Sequence, residues 1–341
     1  MRARNVAALL ILALPVSAAC AQRPGTISND EAPVSIPLTV SQNPHFGTYS
    51  AQLSIALGNG KSLPFGFDTG SSGLHVFADA RLESTDGVRC SHTPTKVTYG
   101  NPPRITFLGV VCYAQLHLAG FATLEAVPVA YLTSAVCSAT NPDCRIPDLH
   151  SPKAMHGYGV FGAGLTGIMS GEGYVPNPIL TLPGRRGTIY NVILAHDGGR
   201  LVLGASEPAG AAEFSLLPGM RPGERYSLPR TCLFVNGRAS GVCTLASFDT
   251  GNGVPWIHAL RLDAIPQRDG FVAPGTRLGF APPGDPHEAT SVVAGTMFAD
   301  EIRIVAIPNK PPLSNLSIQP FFGHVVTYDD ARGIIAVAPA P

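Results

Sequence analysis

Residues 63–71 read LPFGFDTGS, and residues 245–252 read LASFDTGN. This duplication limits the fold more than any other feature of the chain. The two aspartates, Asp68 and Asp249, stand 181 residues apart in a chain of 341, about half its length. A duplicated lobe is the simplest origin, and the boundary is expected in the Pro/Gly-rich residues 205–227. In each copy an apolar run reads as a strand that ends in Asp at the edge of a core. The Thr that follows can donate a hydroxyl hydrogen bond. The Gly permits the tight backbone that would let two such loops meet.

The rest of the chain reads as short strands. Hydrophobic residues make up 45% and charged residues 13%, which argues against disorder. Gly (37) and Pro (32) punctuate it so often that an all-β fold is favoured over a helical one. Strands are expected at 34–40, 51–57, 63–67, 96–99, 104–108, 113–118 and 126–132, with a hairpin at 189–194 and 200–203. The second half repeats the style at 233–235, 242–248, 302–307, 324–328 and 333–337, and Trp256–Leu262 is a helix candidate. The expected division is a signal peptide at 1–21, a first lobe at 22–206 and a second lobe at 207–341. Lys plus Arg equals Asp plus Glu at 23 each, with no basic run, so a nucleic-acid partner is not expected.

Two carboxylates brought within hydrogen-bonding distance cannot both ionise easily. They share a proton and titrate as a unit. One can then act as base and the other as acid toward a water held between them. Residues 67–72 (FDTGSS) and 248–252 (FDTGN) resemble the two active-site loops of pepsin-like aspartic proteases. Further segments carry the resemblance. Val97–Gly100 is similar to the flap hairpin that closes over substrate, with Tyr99 at the flap tyrosine and Gly100 beside it on the flap. Val160–Gly162 is similar to the hydrophobic-hydrophobic-Gly element behind the first loop. Residues 190–204, 326–329 and 333–337 are similar to other strands of that family.

The resemblance implies a bilobal all-β fold with a cleft between two pseudo-symmetric lobes, and an endopeptidase with Asp68 and Asp249 as its catalytic pair. Thr69 and Thr250 would bond across the lobes, Ser71 would orient Asp68, and Gly70, Gly251 and Asn252 would complete the loops. The substrate is expected to be a polypeptide, the chain a monomer, and no cofactor or metal is needed because water is the nucleophile. The alternative is a binding or inhibitor protein that keeps the fold without catalysis.

Three departures bear on this. Asn252 stands where the family usually has Ser or Thr. His75 stands where it often has a Trp bonded to the flap tyrosine, and a ring nitrogen there could take the Tyr99 hydroxyl. The second hydrophobic-hydrophobic-Gly element has two candidates: Phe321–Gly323 has the right letters, and Asn315–Ser317 fits the spacing to Asp329 better.

The N-terminus reads as an export signal. Arg2 and Arg4 precede the apolar stretch 6–14, which is too short to span a bilayer, and Ala19-Cys20-Ala21 forms a cleavage site. A second reading makes Cys20 a lipid anchor, although Ser17 replaces the Leu usual in such signals. The style looks bacterial, which implies secretion or a periplasmic location. The first strand begins about a dozen residues past the signal, so no long pro-segment is expected. Six further cysteines, Cys90, Cys112, Cys137, Cys144, Cys232 and Cys243, suggest disulfides. Of the 15 pairings six cysteines allow, nearest-neighbour pairing closes the shortest loops. Their spacing does not suit zinc. The GxGxxG at 157–162 lacks the strand, helix and acidic residue of a dinucleotide site. No GxSxG or HExxH occurs.

Overall fold

The computed structural model describes residues 32–99, 105–119, 121–123, 125–137, 144–150, 157–166, 173–220, 224–258, 263–296, 298–305 and 311–341. Strands dominate, and the described helical segments are 3-10 turns of three or four residues. The strands follow from their side-chain alternation. In Val34–Gln42, Ile36, Leu38 and Val40 point inward and their neighbours outward; in Tyr49–Leu57, Ala51, Leu53, Ile55 and Leu57 do the same. Ser72–Phe77 is buried from Gly73 onward, as expected of a strand covered on both faces.

One large sheet carries the first half. Leu63–Asp68 lies between Tyr49–Leu57 and Gly159–Ala163, and Gly159–Ala163 in turn pairs with Ser72–Phe77. Val88–Tyr99 and Ile105–Ala114 form the outer hairpin of this sheet. The second half builds a separate nine-stranded sheet around Arg230–Val235, Arg238–Ser247, Leu313–Asn315 and Trp256–His258. The two C-terminal strands, His324–Asp329 and Ile334–Pro339, join the first sheet instead. They pair with Ile189–Ala195 and Ala212–Ser215, so the end of the chain ties the halves together. Tyr190 and Tyr328 stack across that seam at 5.2 Å.

The same crossing occurs twice. Gly159–Ala163 runs parallel to Leu63–Asp68, with Gly162 opposite Asp68, and antiparallel to Ser72–Phe77. Leu313–Asn315 runs parallel to the end of Arg238–Ser247 and antiparallel to Trp256–His258. Its register sets Asn315 opposite Ser247, which makes Asn315 the counterpart of Val160 and Ser317 that of Gly162. Asn315–Ser317 therefore fills the second crossing position, and Phe321–Gly323 sits beyond it at the end of a 3-10 turn. Ser317 takes the left-handed φ of +58° there.

The helix expected at 256–262 is instead a strand at Trp256–His258, because pairing on both edges overrides local preference; residues 259–262 lie outside the described residues. The cysteines form the pairs that close the shortest loops: Cys90–Cys112 across the outer hairpin, Cys137–Cys144, and Cys232–Cys243. The last pair flanks a turn in which Asn236 and Gly237 both have positive φ. Among the described residues no helix is long and apolar enough to cross a membrane. The signal segment, Cys20 and Gly100 lie outside the described residues.

Candidate active site

Each aspartate follows a buried phenylalanine, Phe67 or Phe248, each 1% exposed. These rings anchor the ends of the two strands. Thr69 and Thr250 are also buried, and their hydroxyls need partners there. They find them across the interface. The Thr69 backbone N–H donates to Thr250 Oγ1 at 3.1 Å, and the Thr250 N–H donates to Thr69 Oγ1 at 3.0 Å. Thr69 Oγ1 donates to the Phe248 carbonyl at 2.9 Å, and Thr250 Oγ1 to the Phe67 carbonyl at 2.7 Å. Four reciprocal bonds thus fix the relative position of the loops, each worth about 1 kcal/mol net. Tyr328 Oη adds a fifth bond, to the Phe248 carbonyl at 3.1 Å.

This clamp sets each aspartate on the opposite loop. A methyl group at Gly70 would lie 2.2 Å from Asp249 Cγ, and one at Gly251 would lie 2.4 Å from Asp68 Cγ. Only glycine leaves room for the two carboxyl groups to sit side by side. Asp68 Oδ1 accepts from the Gly70 N–H at 2.8 Å, and Oδ2 accepts from Ser71 Oγ at 2.5 Å. Asp249 Oδ1 accepts from the Gly251 N–H at 2.9 Å. Its Oδ2 accepts from Asn315 Nδ2 at 2.6 Å. Burial, and then the negative charge of Asp68, push the Asp249 carboxyl well above the ordinary carboxylate range. The site can therefore hold a proton between two acidic groups.

Asn252 takes no part in this. Its amide donates to the Val254 carbonyl at 2.8 Å. Asn315 supplies the donor instead, reaching in from the crossing strand, and its Oδ1 is pinned by the Ser317 N–H at 2.8 Å. The sequence signal for Asn315 was the spacing of Asn315–Ser317 to Asp329, which marked the segment but not the residue. His75 is 4% exposed, and its Nδ1 is hydrogen-bonded to Tyr99 Oη. Burial lowers the His75 pKa to about 4. Burial, and then the charge of Asp68, raise the Tyr99 phenol well above its usual value. Tyr99 is therefore the donor and a neutral His75 ring the acceptor through most of the pH range. By register, the partner of His75 in the second half is Trp256: His75 lies opposite Val160, and Trp256 lies opposite Asn315.

Asp68 and Asp249 line a cleft of about 1160 Å³ with the outer hairpin on one side and Trp256, Phe298, Arg303 and Val305 on the other. A second chamber of about 660 Å³ also reaches Asp68, Tyr99 and Gly251 and is walled by Phe77, Ile105 and Phe107. Among the described residues no group of three His, Cys, Asp or Glu side chains could hold a metal ion.

No protein-family model matches the sequence, and no curated protein matches it. The structure is similar to the crystal structure of the aspartic proteinase from Irpex lacteus, with a TM-score of 0.62 over 91% of this chain and 98% of that one, at 13% identity. The likeness assigns this chain the pepsin-like aspartic proteinase fold, with two β-rich lobes.

Proposed function

We propose that the chain is an aspartic endopeptidase that hydrolyses peptide bonds with a water activated between Asp68 and Asp249. One observation carries this reading: each carboxyl packs on the glycine of the other loop, on the wall of a cleft long enough for an extended chain. The raised Asp249 supplies an acid where Asp68 supplies a base, so water can attack a carbonyl while the leaving nitrogen receives a proton. Thr69, Thr250, Gly70, Gly251 and Ser71 position the pair. Tyr99, backed by His75, and Gly100 would cover the substrate. Residues 22–206 and 207–341 would contribute one aspartate each, from a monomer. Export to the periplasm or the medium is supported by the N-terminal sequence and by the three disulfides.

The test is cleavage of denatured casein or haemoglobin from pH 3 to 7, with and without pepstatin, beside Asp68→Asn. The variant is expected to lose at least about 10³-fold in turnover. Full activity in that variant would overturn the mechanism. Retained peptide binding without turnover at any pH would favour a binding protein on the same fold.

A further inference from the structure

Away from the aspartate pair, the cleft is cationic. Its acidic lining residues are Asp68 and Asp249 alone among the described residues, whereas Lys96 lines one wall and Arg303 another. Arg303 opens the short strand Arg303–Ile304, which pairs in parallel with Trp256–His258 and sets Arg303 directly beside Trp256. Trp256 is the seventh residue after Asp249, so the sheet fixes the side of the pair on which Arg303 stands.

The guanidinium is held in place without being neutralised. Its central carbon lies 4.6 Å above the Phe298 ring, and Phe298 meets Phe46 of the first half at 5.2 Å. None of the ion pairs among the described residues uses Arg303. Its Nε is buried and has no hydrogen-bond partner among the described residues. That nitrogen is closed off from solvent, so a ligand would meet the rest of the guanidinium, which lines the cleft and enters no ion pair among the described residues. A carboxylate is the ligand that matches a guanidinium, since its two oxygens accept from the planar fork.

We propose that Arg303 makes this cleft select peptides that present a carboxylate on the side walled by Trp256 and Phe298. This rests on the peptidase reading. The carboxylate can come from an acidic side chain or from the end of the peptide chain, and both sources supply the same oxygens. Lys96, exposed on the hairpin strand, strengthens the positive field in the same cleft.

The experiment uses two matched peptide sets at pH 5.5, where Glu is ionised. In one, both ends are blocked and Glu or Gln is placed in turn at each position beside the scissile bond. In the other, an otherwise neutral peptide ends in a free acid or an amide. Wild type is expected to favour one carboxylate peptide by about tenfold in kcat/KM, with Arg303→Met bringing the ratio to about one. The set that shows the preference names the source. Equal rates in wild type, or a preference unchanged in Arg303→Met, would overturn the inference and leave the peptidase reading standing.

If no peptide is cleaved, the peptidase reading fails. The inference is then read from binding of the same labelled peptides by fluorescence anisotropy. Tighter binding of the carboxylate peptide, lost in Arg303→Met, supports it; equal affinities sink it. Should Arg303→Met not fold, Arg303→Glu is the second variant, and it should turn the preference toward a Lys peptide. If neither variant folds, the wild-type preference must weaken as salt rises from 0.05 to 0.5 M; a salt-independent preference counts against Arg303.

Discussion

The two aspartate loops share a backbone and differ in the side chains that surround it. In both the aspartate follows a buried Phe, both turn through Thr-Gly, and both are crossed by a second strand in the same register. Asp68, however, takes a hydroxyl from its own loop, Ser71, while Asp249 takes an amide from the crossing strand, Asn315. A hydroxyl can donate or accept; an amide nitrogen only donates. Asp249 Oδ2 is thereby held as an acceptor, and a proton shared by the pair is kept off that oxygen. The backbone duplication brings the carboxyls together. The side chains around them break the symmetry, a hydroxyl donor on one carboxyl and an amide donor on the other.

The largest effect should come where the halves are alike. Gly70→Ala and Gly251→Ala each drive a methyl into the opposite carboxyl, which stands 2.2 and 2.4 Å from the new atom. Displacing a reacting group by about 1 Å costs on the order of 10²-fold. Both variants should lose at least that in kcat/KM, by similar factors, with thermal stability changed in parallel. A loss confined to one variant would show that the loops are not equivalent even at their glycines.

The next prediction concerns His75, whose counterpart Trp256 does not titrate. Burial holds the His75 pKa at about 4 against 6.5 for an ordinary histidine. Between those values the unfolded chain binds a proton that the folded chain refuses, so His75 costs stability as pH falls from 6.5 toward 4. The cost is about 2 kcal/mol at pH 5 relative to pH 8. Asp249 has the opposite sign, because its raised pKa lets the folded chain keep a proton that the unfolded chain loses above 3.8. His75→Phe should remove the first slope and leave the second. Urea unfolding of both proteins at pH 5 and pH 8 reads the difference directly. An unchanged difference would mean that His75 is solvated.

Much of this was legible in the sequence. The paired FDTG segments mark both loops, because an apolar strand end, a short hydroxyl and a glycine can be read locally. The three disulfide pairs are the nearest-neighbour choice among the 15 that the sequence leaves open, and the strands were legible from alternation and turn residues. Asn315 was not legible as a partner of Asp249. It lies 66 residues away and reaches the carboxylate through a parallel pairing that leaves no local pattern. Asn252 drew attention because it stands where the resembled family usually has Ser or Thr, but its side chain bonds the Val254 backbone. The strand at Trp256–His258 was obscured for the same reason, since its pairing on both edges is long-range.

The smallest effects separate the two asparagines. Asn315→Leu removes the donor that favours ionised Asp249, so the carboxyl is pushed higher and the pair, which titrates as a unit, should show both limbs of its pH–rate profile displaced upward. The loss in kcat/KM at the wild-type optimum should be about tenfold, the value of one hydrogen bond to a charged group. Asn315→Leu also removes the acceptor for the Ser317 N–H, and Asn315→Asp tests that contribution. It keeps an acceptor oxygen for Ser317 while replacing the amide donor with a like charge, so its profile should move further than that of the leucine variant. Asn252→Ala should leave both limbs in place and change kcat/KM by less than about twofold, because among the described residues its amide bonds the Val254 backbone and not Asp249. If Asn252→Ala shifts the profile and Asn315→Leu does not, the donor to Asp249 comes from its own loop, and the two halves are more alike than their hydrogen bonds imply.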